Sequence, residues 1–130
     1  MSQLSDYSEK LLLDWMMTTG AATRPSSWFV ALYTAAPSDS GGGTEVTGGG
    51  YTRKSVTFNA ASSPGGSTSN AGAVSWTASG TAMGTVTHVG IFDASTGGNL
   101  LWHGPLASSK TVNVGDTFQI AAGSLTLTLA

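Results

Sequence analysis

Residues Gly84 to Leu106, GTVTHVGIFDASTGGNLLWHGPL, decide how this chain reads. From Thr85 to Phe92 two sets of side chains alternate: Val86, His88, Gly90 and Phe92, then Thr85, Thr87, Val89 and Ile91. A strand sends successive side chains to opposite faces. Apolar residues occur in both sets, which predicts a strand covered on both sides rather than a solvent-lined edge. Asp93 to Asn99 (DASTGGN) collects residues that accept positive φ or bond their own backbone, so it reads as the connection of a β-hairpin. Leu100 to His103 is again apolar and aromatic. Gly104-Pro105 is expected to end this second arm, because proline has no N–H to give to a ladder.

Working outward, the same period recurs. Beyond the hairpin come a short Lys110–Val112 strand, a turn at Asn113–Asp116, a strand over Thr117–Ala121, and Ser124–Leu129 with Leu125, Leu127 and Leu129 on one face. Before it, Ala73–Ala78 carries Trp76, Tyr51–Phe58 turns Val56 and Phe58 inward, and Trp28–Thr34 is a nearly continuous apolar run suited to a central strand. About seven or eight short strands at regular spacing predict a mainly β fold, a two-sheet β-sandwich of jelly-roll-like type.

One helix is expected, from Leu4 to Thr19. Leu4, Tyr7, Leu11, Leu12, Trp15 and Met16 recur at three and four and form one stripe. Ser5 or Asp6 can cap its start, with Asp6 and Glu9 at capping-box spacing, and Gly20 offers a stop. The stripe is expected to pack on the sheet's own core; the alternative is an arm that docks on a neighbouring subunit. Residues 1–130 thus read as a single domain, a helix over about 4–19 and a sandwich over about 28–130.

Two segments interrupt the pattern. Ser38–Gly50 (SDSGGGTEVTGGG) holds Glu45 and Val46 between glycine triplets, and Asn59–Asn70 is a second loop rich in Ser, Gly and Pro. Both are expected to be mobile in the isolated chain and to order only against a partner. The glycines are not a phosphate-binding loop, since no Gly-Lys-Ser/Thr follows them.

Only 9% of residues are charged, against about 25% in ordinary soluble domains. Gly supplies 18 residues, and Ser and Thr are about as common. Uncharged polar surfaces suit burial against other subunits, because hydroxyls cost less to desolvate than ions. A net charge of −2, with Arg53-Lys54 the one paired basic step, argues against nucleic-acid binding. No run of 18 apolar residues suggests a membrane span. The chain has no cysteine, which removes disulfides and thiolate metal sites together.

Catalytic chemistry finds little to stand on. His88 and His103 lie on opposite arms of the hairpin and, with Asp93, could sketch a metal site. His88 shares its alternating set with Val86 and Phe92, which suits a hydrogen-bonded structural histidine instead. No nucleophile elbow and no pair of carboxylates on one strand appears, so no catalytic, cofactor-binding or metal residue is assigned and no enzyme activity is expected. Trp15, Trp28, Trp76 and Trp102 each sit in an apolar periodic segment, as core residues do, and none stands in a polar loop where a sugar platform would be expected.

VTHVGIFDASTGGNLLWHGPL, followed by KTVNVGDTFQIAAGSLTLTL, resembles a group of small tailed-bacteriophage structural proteins described as head decoration (cement) or tail fibre-like proteins. YSEKLLLDWMM and WFVALYTAAP fit the same group, so the resemblance covers most of the chain. It implies a virion component made in the bacterial host cytoplasm, with no cofactor. The first expectation is a cement protein that binds the major capsid protein and further copies of itself, stabilising the shell by mass action. The alternative is a tail or tail-fibre component, an adaptor or cap-like piece, since the chain has no repeat from which to build a shaft.

Overall fold

The computed structural model describes residues 3–129. In chain order the elements are β1 (Gln3–Leu4), α1 (Asp6–Met17), β2 (Phe29–Ala35), β3 (Thr44–Glu45), β4 (Lys54–Ser55), β5 (Ser67–Ser69), β6 (Val74–Thr77), β7 (Gly84–Phe92), β8 (Leu100–Val112), β9 (Thr117–Ile120) and β10 (Thr126–Thr128). Six strands make one antiparallel sheet, ordered β1-β8-β7-β2-β3, with β4 on the same edge of β2 as β3 further along the strand. Two antiparallel pairs, β6 with β9 and β5 with β10, complete the β structure. The architecture is mainly β with one N-terminal helix and is sandwich-like, the second layer being built from two short ladders rather than one continuous sheet.

β2 and β7 lie at the centre because both are apolar on both faces. Val30 and Leu32 of β2 and Val89 and Ile91 of β7 point into the main core, where Val74 and Trp76 of β6 and Phe118 and Ile120 of β9 meet them. Trp76 is 2% exposed, packs edge-on to Phe118 with centroids 5.9 Å apart, and donates its indole N–H to the Thr52 carbonyl at 2.9 Å. Ala31, Tyr33, Phe92 and Leu100 form a smaller cluster on the opposite face. Gly90 belongs beneath that cluster: a Cβ there would sit 3.0 Å from Leu100 and 3.1 Å from Tyr33. Apolar burial on both faces of one strand pair is the largest stabilising contribution the chain can draw on.

The hairpin forms as the alternation predicts, with one correction. β8 does not end at Gly104-Pro105 but runs on to Val112. Register passes from Val86↔Lys110 to His88↔Pro105, so Thr87 alone on β7 faces Leu106 to Ser109 on β8. Proline is tolerated because the ladder is broken at that point, and because β1 pairs β8 only at Trp102 and His103, which leaves the outer edge at Pro105 without a strand among the described residues. The irregularity also resets the faces. Val86 joins Val89 and Ile91 in the main core, instead of sharing a face with His88 and Phe92.

The Ser38–Gly50 segment is likewise tied down by its own chain. Thr44 and Glu45 pair with β2, Val46 is buried in the main core, and its N–H bonds to the Leu32 carbonyl at 2.9 Å. Gly49 takes φ +69° against Met83, where a Cβ would fall 2.7 Å from the Met83 side chain. In the second loop, buried Asn70 donates to the Gly72 and Ala121 carbonyls at 2.8 and 3.0 Å and accepts from the Leu125 N–H at 2.9 Å. Composition alone concealed these anchors, because single residues supply them.

Candidate functional site

The helix departs most from expectation, and its placement defines the candidate surface. Ser5 caps it: the side chain accepts from the Ser8 N–H at 3.2 Å and donates to the Leu100 carbonyl, while the Ser5 N–H bonds the Leu101 carbonyl at 3.0 Å. This fixes the first turn to the start of β8. Ser8 is buried, and Leu11 and Leu12 one turn on are half-buried. Trp15 falls on the same side one further turn along, yet it is 70% exposed. The helix therefore outruns the sheet that supports it. Met16 on the same stripe is 66% exposed, and Leu13 and Met17 beside it are 61% and 73% exposed, so the far end of the stripe is not covered by the chain's own core. Successive residues on a helix step by about 100°, and Trp15, Met16 and Met17 with Leu13 surround the tip. The one charge among them, Asp14, is ion-paired with Lys10.

A second feature is an open apolar cleft of about 530 Å³ between β8 and β10. Val89, Ile91, Trp102, Leu106, Leu125 and Leu127 supply its apolar lining, and none of the described residues around it carries a carboxylate, ammonium or guanidinium group. Trp102 is half-buried and faces this cleft, whereas Trp76 is enclosed in the core and Trp28 packs against it.

The histidines are not brought together as a site. Gly90, not His88, stands opposite His103. His103 is buried with its Nε2 2.7 Å from Asp39, and His88 Nδ1 lies 2.8 Å from the Thr87 hydroxyl. Asp93 is occupied in its own loop, accepting from the Asn99 backbone N–H at 2.7 Å and the Asn99 side-chain amide at 2.9 Å. Among the described residues no three His, Asp or Glu side chains are grouped as metal ligands, and no helix is long and apolar enough to cross a membrane.

A polar cluster escaped the sequence reading. Arg53 forks onto Glu45, Nε to Oε2 at 2.9 Å and Nη2 to Oε1 at 3.0 Å, and its Nη1 donates to the carbonyls of Ala94 at 3.1 Å and Gly97 at 2.7 Å. The guanidinium lies 3.6 Å over the Phe92 ring. Tyr51 donates to Glu45 at 2.6 Å and accepts from the Leu32 N–H at 3.0 Å. Burial alone would raise the Glu45 pKa; the hydrogen bonds from Arg53 and Tyr51, with the Arg53 charge, outweigh it and hold the carboxyl below its ordinary value. Burial, then the bond to Glu45, pushes the Tyr51 phenol up, and burial with the Glu45 charge pushes Tyr33 up to about 12. The pattern is that of a structural clasp tying the end of β3, the segment before β4 and the 93–99 loop together. Its only sequence signal is a pair of isolated charges in a chain nearly without them.

A family model described as podophage GP4 fiber I protein gp80 matches residues 3–128. The chain belongs to that family. It is accordingly a phage structural protein and part of the virion. No curated protein matches the chain. The match to the fiber I family takes in the helix, both layers and the cleft together, so the uncovered tip lies within the family's own extent.

Proposed function

We propose that this chain is a non-enzymatic building block of the phage tail-fibre apparatus, which attaches through its uncovered helix tip and carries no catalytic site. The observation that carries the reading is the match of residues 3–128 to a fibre protein family, on a chain whose helix ends in four exposed apolar side chains. Exposed apolar surface concentrated in one place marks an interaction site in a soluble protein. The partners are other virion proteins and further copies of this chain, with neither nucleic acid nor membrane involved.

The head cement reading is the second, and one observation favours it. Strands from both halves of the chain meet in one core, with no repeated shaft among the described residues. Such a body, with its low-charge surface, suits many identical contacts with the major capsid protein. The two readings separate on copy number. Quantitative mass spectrometry of purified particles is expected to give a small number of copies set by the symmetry of the tail; hundreds per particle would reverse the order. A phage lacking the protein is expected to lose adsorption while its heads rupture at the unmodified temperature. Early rupture with intact adsorption would establish the cement role instead.

A further inference from the structure

The sheet face that carries Tyr33, Phe92 and Leu100 is hollowed where the first turn of α1, the 38–42 turn and the 93–99 loop stand around it, leaving an open space of about 460 Å³. Those three buried side chains form the floor, and Asp6, Tyr7, Asp39, Ser40 and Asn99 stand higher on the rim. The rim is fixed by its own bonds. Asp6 N–H donates to the Asp39 carbonyl at 2.9 Å, Ser38 and Gly41 exchange backbone bonds at 2.8 and 2.9 Å, and Asp39 Oδ1 lies 2.7 Å from the buried His103 ring. Little ordering entropy remains to be lost when a ligand arrives. Tyr33 is 4% exposed, yet its hydroxyl makes no hydrogen bond among the described residues. No sealed-off polar side-chain atom there lacks a partner, so the phenol oxygen is reached from outside, and the hollow is the space that Tyr33 lines. Burial, with the Glu45 charge, pushes this phenol up to about 12, so it keeps its proton and stands ready as a donor. Asp39 has one carboxylate oxygen on His103; its other oxygen and the Asp6 carboxylate are acceptors with no side-chain donor among the described residues.

We propose that this hollow is a saccharide site that takes one neutral pyranose ring. The lining selects that class. An anion would meet two carboxylates and no cationic side chain among the described lining residues. A cation would suit the carboxylates but offers no acceptor to the Tyr33 proton, and the Arg53 guanidinium already lies 3.6 Å over the Phe92 ring. A sugar hydroxyl both donates and accepts, so one ring can give protons to Asp6 and Asp39 and take one from Tyr33. Its C–H face needs an apolar surface, which the half-exposed Tyr7 ring and the Leu100 floor provide. A few placed polar groups among aromatic and aliphatic side chains is the general make-up of a small-molecule site. The hollow is open on one side and grips part of one ring, so affinity on the order of millimolar per copy is expected, raised where several copies engage together. The site makes no use of the helix tip and does not depend on where in the virion the chain sits.

The test is a titration of the full chain, labelled with nitrogen-15, against the methyl pyranosides of glucose, galactose, mannose, rhamnose and N-acetylglucosamine. Sodium glucuronate and methylammonium chloride serve as the anionic and cationic probes. At least one neutral pyranoside is expected to give saturable amide shifts confined to Ser40, Gly41, Gly98 and Asn99, and to bind more tightly than either ion. Tyr33→Phe deletes only the hydroxyl and keeps the ring on the floor; it should weaken that sugar roughly three- to tenfold, the worth of one hydrogen bond. Asp6→Asn and Tyr7→Ala, both on the exposed rim, should each weaken it as well. Circular dichroism with thermal unfolding checks that every variant folds. If no pyranoside gives a saturable shift, or the shifts lie elsewhere on the chain, the site is not a saccharide site. If methylammonium binds there more tightly than every sugar, the carboxylates read charge and the proposal is wrong. Unchanged binding by both Tyr33→Phe and Asp6→Asn would overturn it equally, since the polar groups that select the ring would then play no part.

Discussion

Replacing Arg53 with alanine removes the centre of the clasp in one step. Lost are two charge-assisted hydrogen bonds to Glu45, two to the 93–99 loop, and the cation over Phe92. Left behind is the Glu45 carboxylate with Tyr51 as its remaining partner. Removing one partner of a fully buried pair costs about 3–5 kcal/mol. The Arg53 side chain is 9% exposed and that of Glu45 27%, so water can reach the orphaned carboxylate and the lower figure, about 3 kcal/mol, applies. With a urea m-value of about 1.5 kcal/mol/M, that is a midpoint shift of roughly 2 M, read by tryptophan fluorescence. Arg53→Lys keeps the charge without the planar fork and should fall between the two. Arg53→Met combined with Glu45→Gln should cost clearly less than the sum of the single changes, because the second removes the orphan left by the first. The reasoning fails if Arg53→Ala shifts the midpoint by less than about 0.5 M, or if the double change is additive.

Three further outcomes follow from the same contacts. Glu45 has a lowered folded pKa, so its contribution is present above the unfolded value near 4.3 and is lost as pH falls through the lower folded one; acid titration of thermal stability should show this loss, and Glu45→Gln should remove it. Tyr33, raised to about 12, acts oppositely: its stabilisation is intact below the unfolded value near 10 and is lost as pH climbs toward 12, which ultraviolet titration of the phenols alongside circular dichroism can follow. Trp76→Ala should cost about 3–5 kcal/mol as a core truncation, whereas Ser5→Ala, which loses a helix cap and its bond to Leu100, should cost about 1–2 kcal/mol and speed amide exchange in the helix before the sheet opens.

What could be read from the sequence was what periodicity encodes. The apolar run of β2, the alternation of β7 and the turn chemistry of 93–99 each specify local structure, and each was legible. β8 was legible only in part. The rule that proline ends a strand holds for paired edges, and whether Pro105 faces a paired edge depends on where β1 stops, which is not a local property. The clasp was invisible for a similar reason. Glu45 ends β3 and Arg53 lies just before β4, eight positions on with glycines between, and nothing in their spacing announces that pairing of both strands with β2 brings them together. The helix stripe was legible too, but periodicity reports which side chains share a face, not whether the sheet beneath extends far enough to cover them.

That last distinction bears on how the chain divides its work. Most of the large exposed apolar side chains lie at one place: Leu13, Trp15, Met16 and Met17 sit within the last five residues of the helix, whereas Val114 and Leu129 are exposed elsewhere. The first turns of that helix are held by a buried serine cap and two half-buried leucines, so the tip is presented on a fixed stem and little ordering entropy remains to be lost on docking. Folding rests elsewhere, on the two-faced β2–β7 pair and the Trp76 side of the core, none of which contributes to the tip. On the proposed reading, such a protein could change the chemistry of its final helical turn, and with it its partner, while the energy that holds its sheet together is left almost untouched.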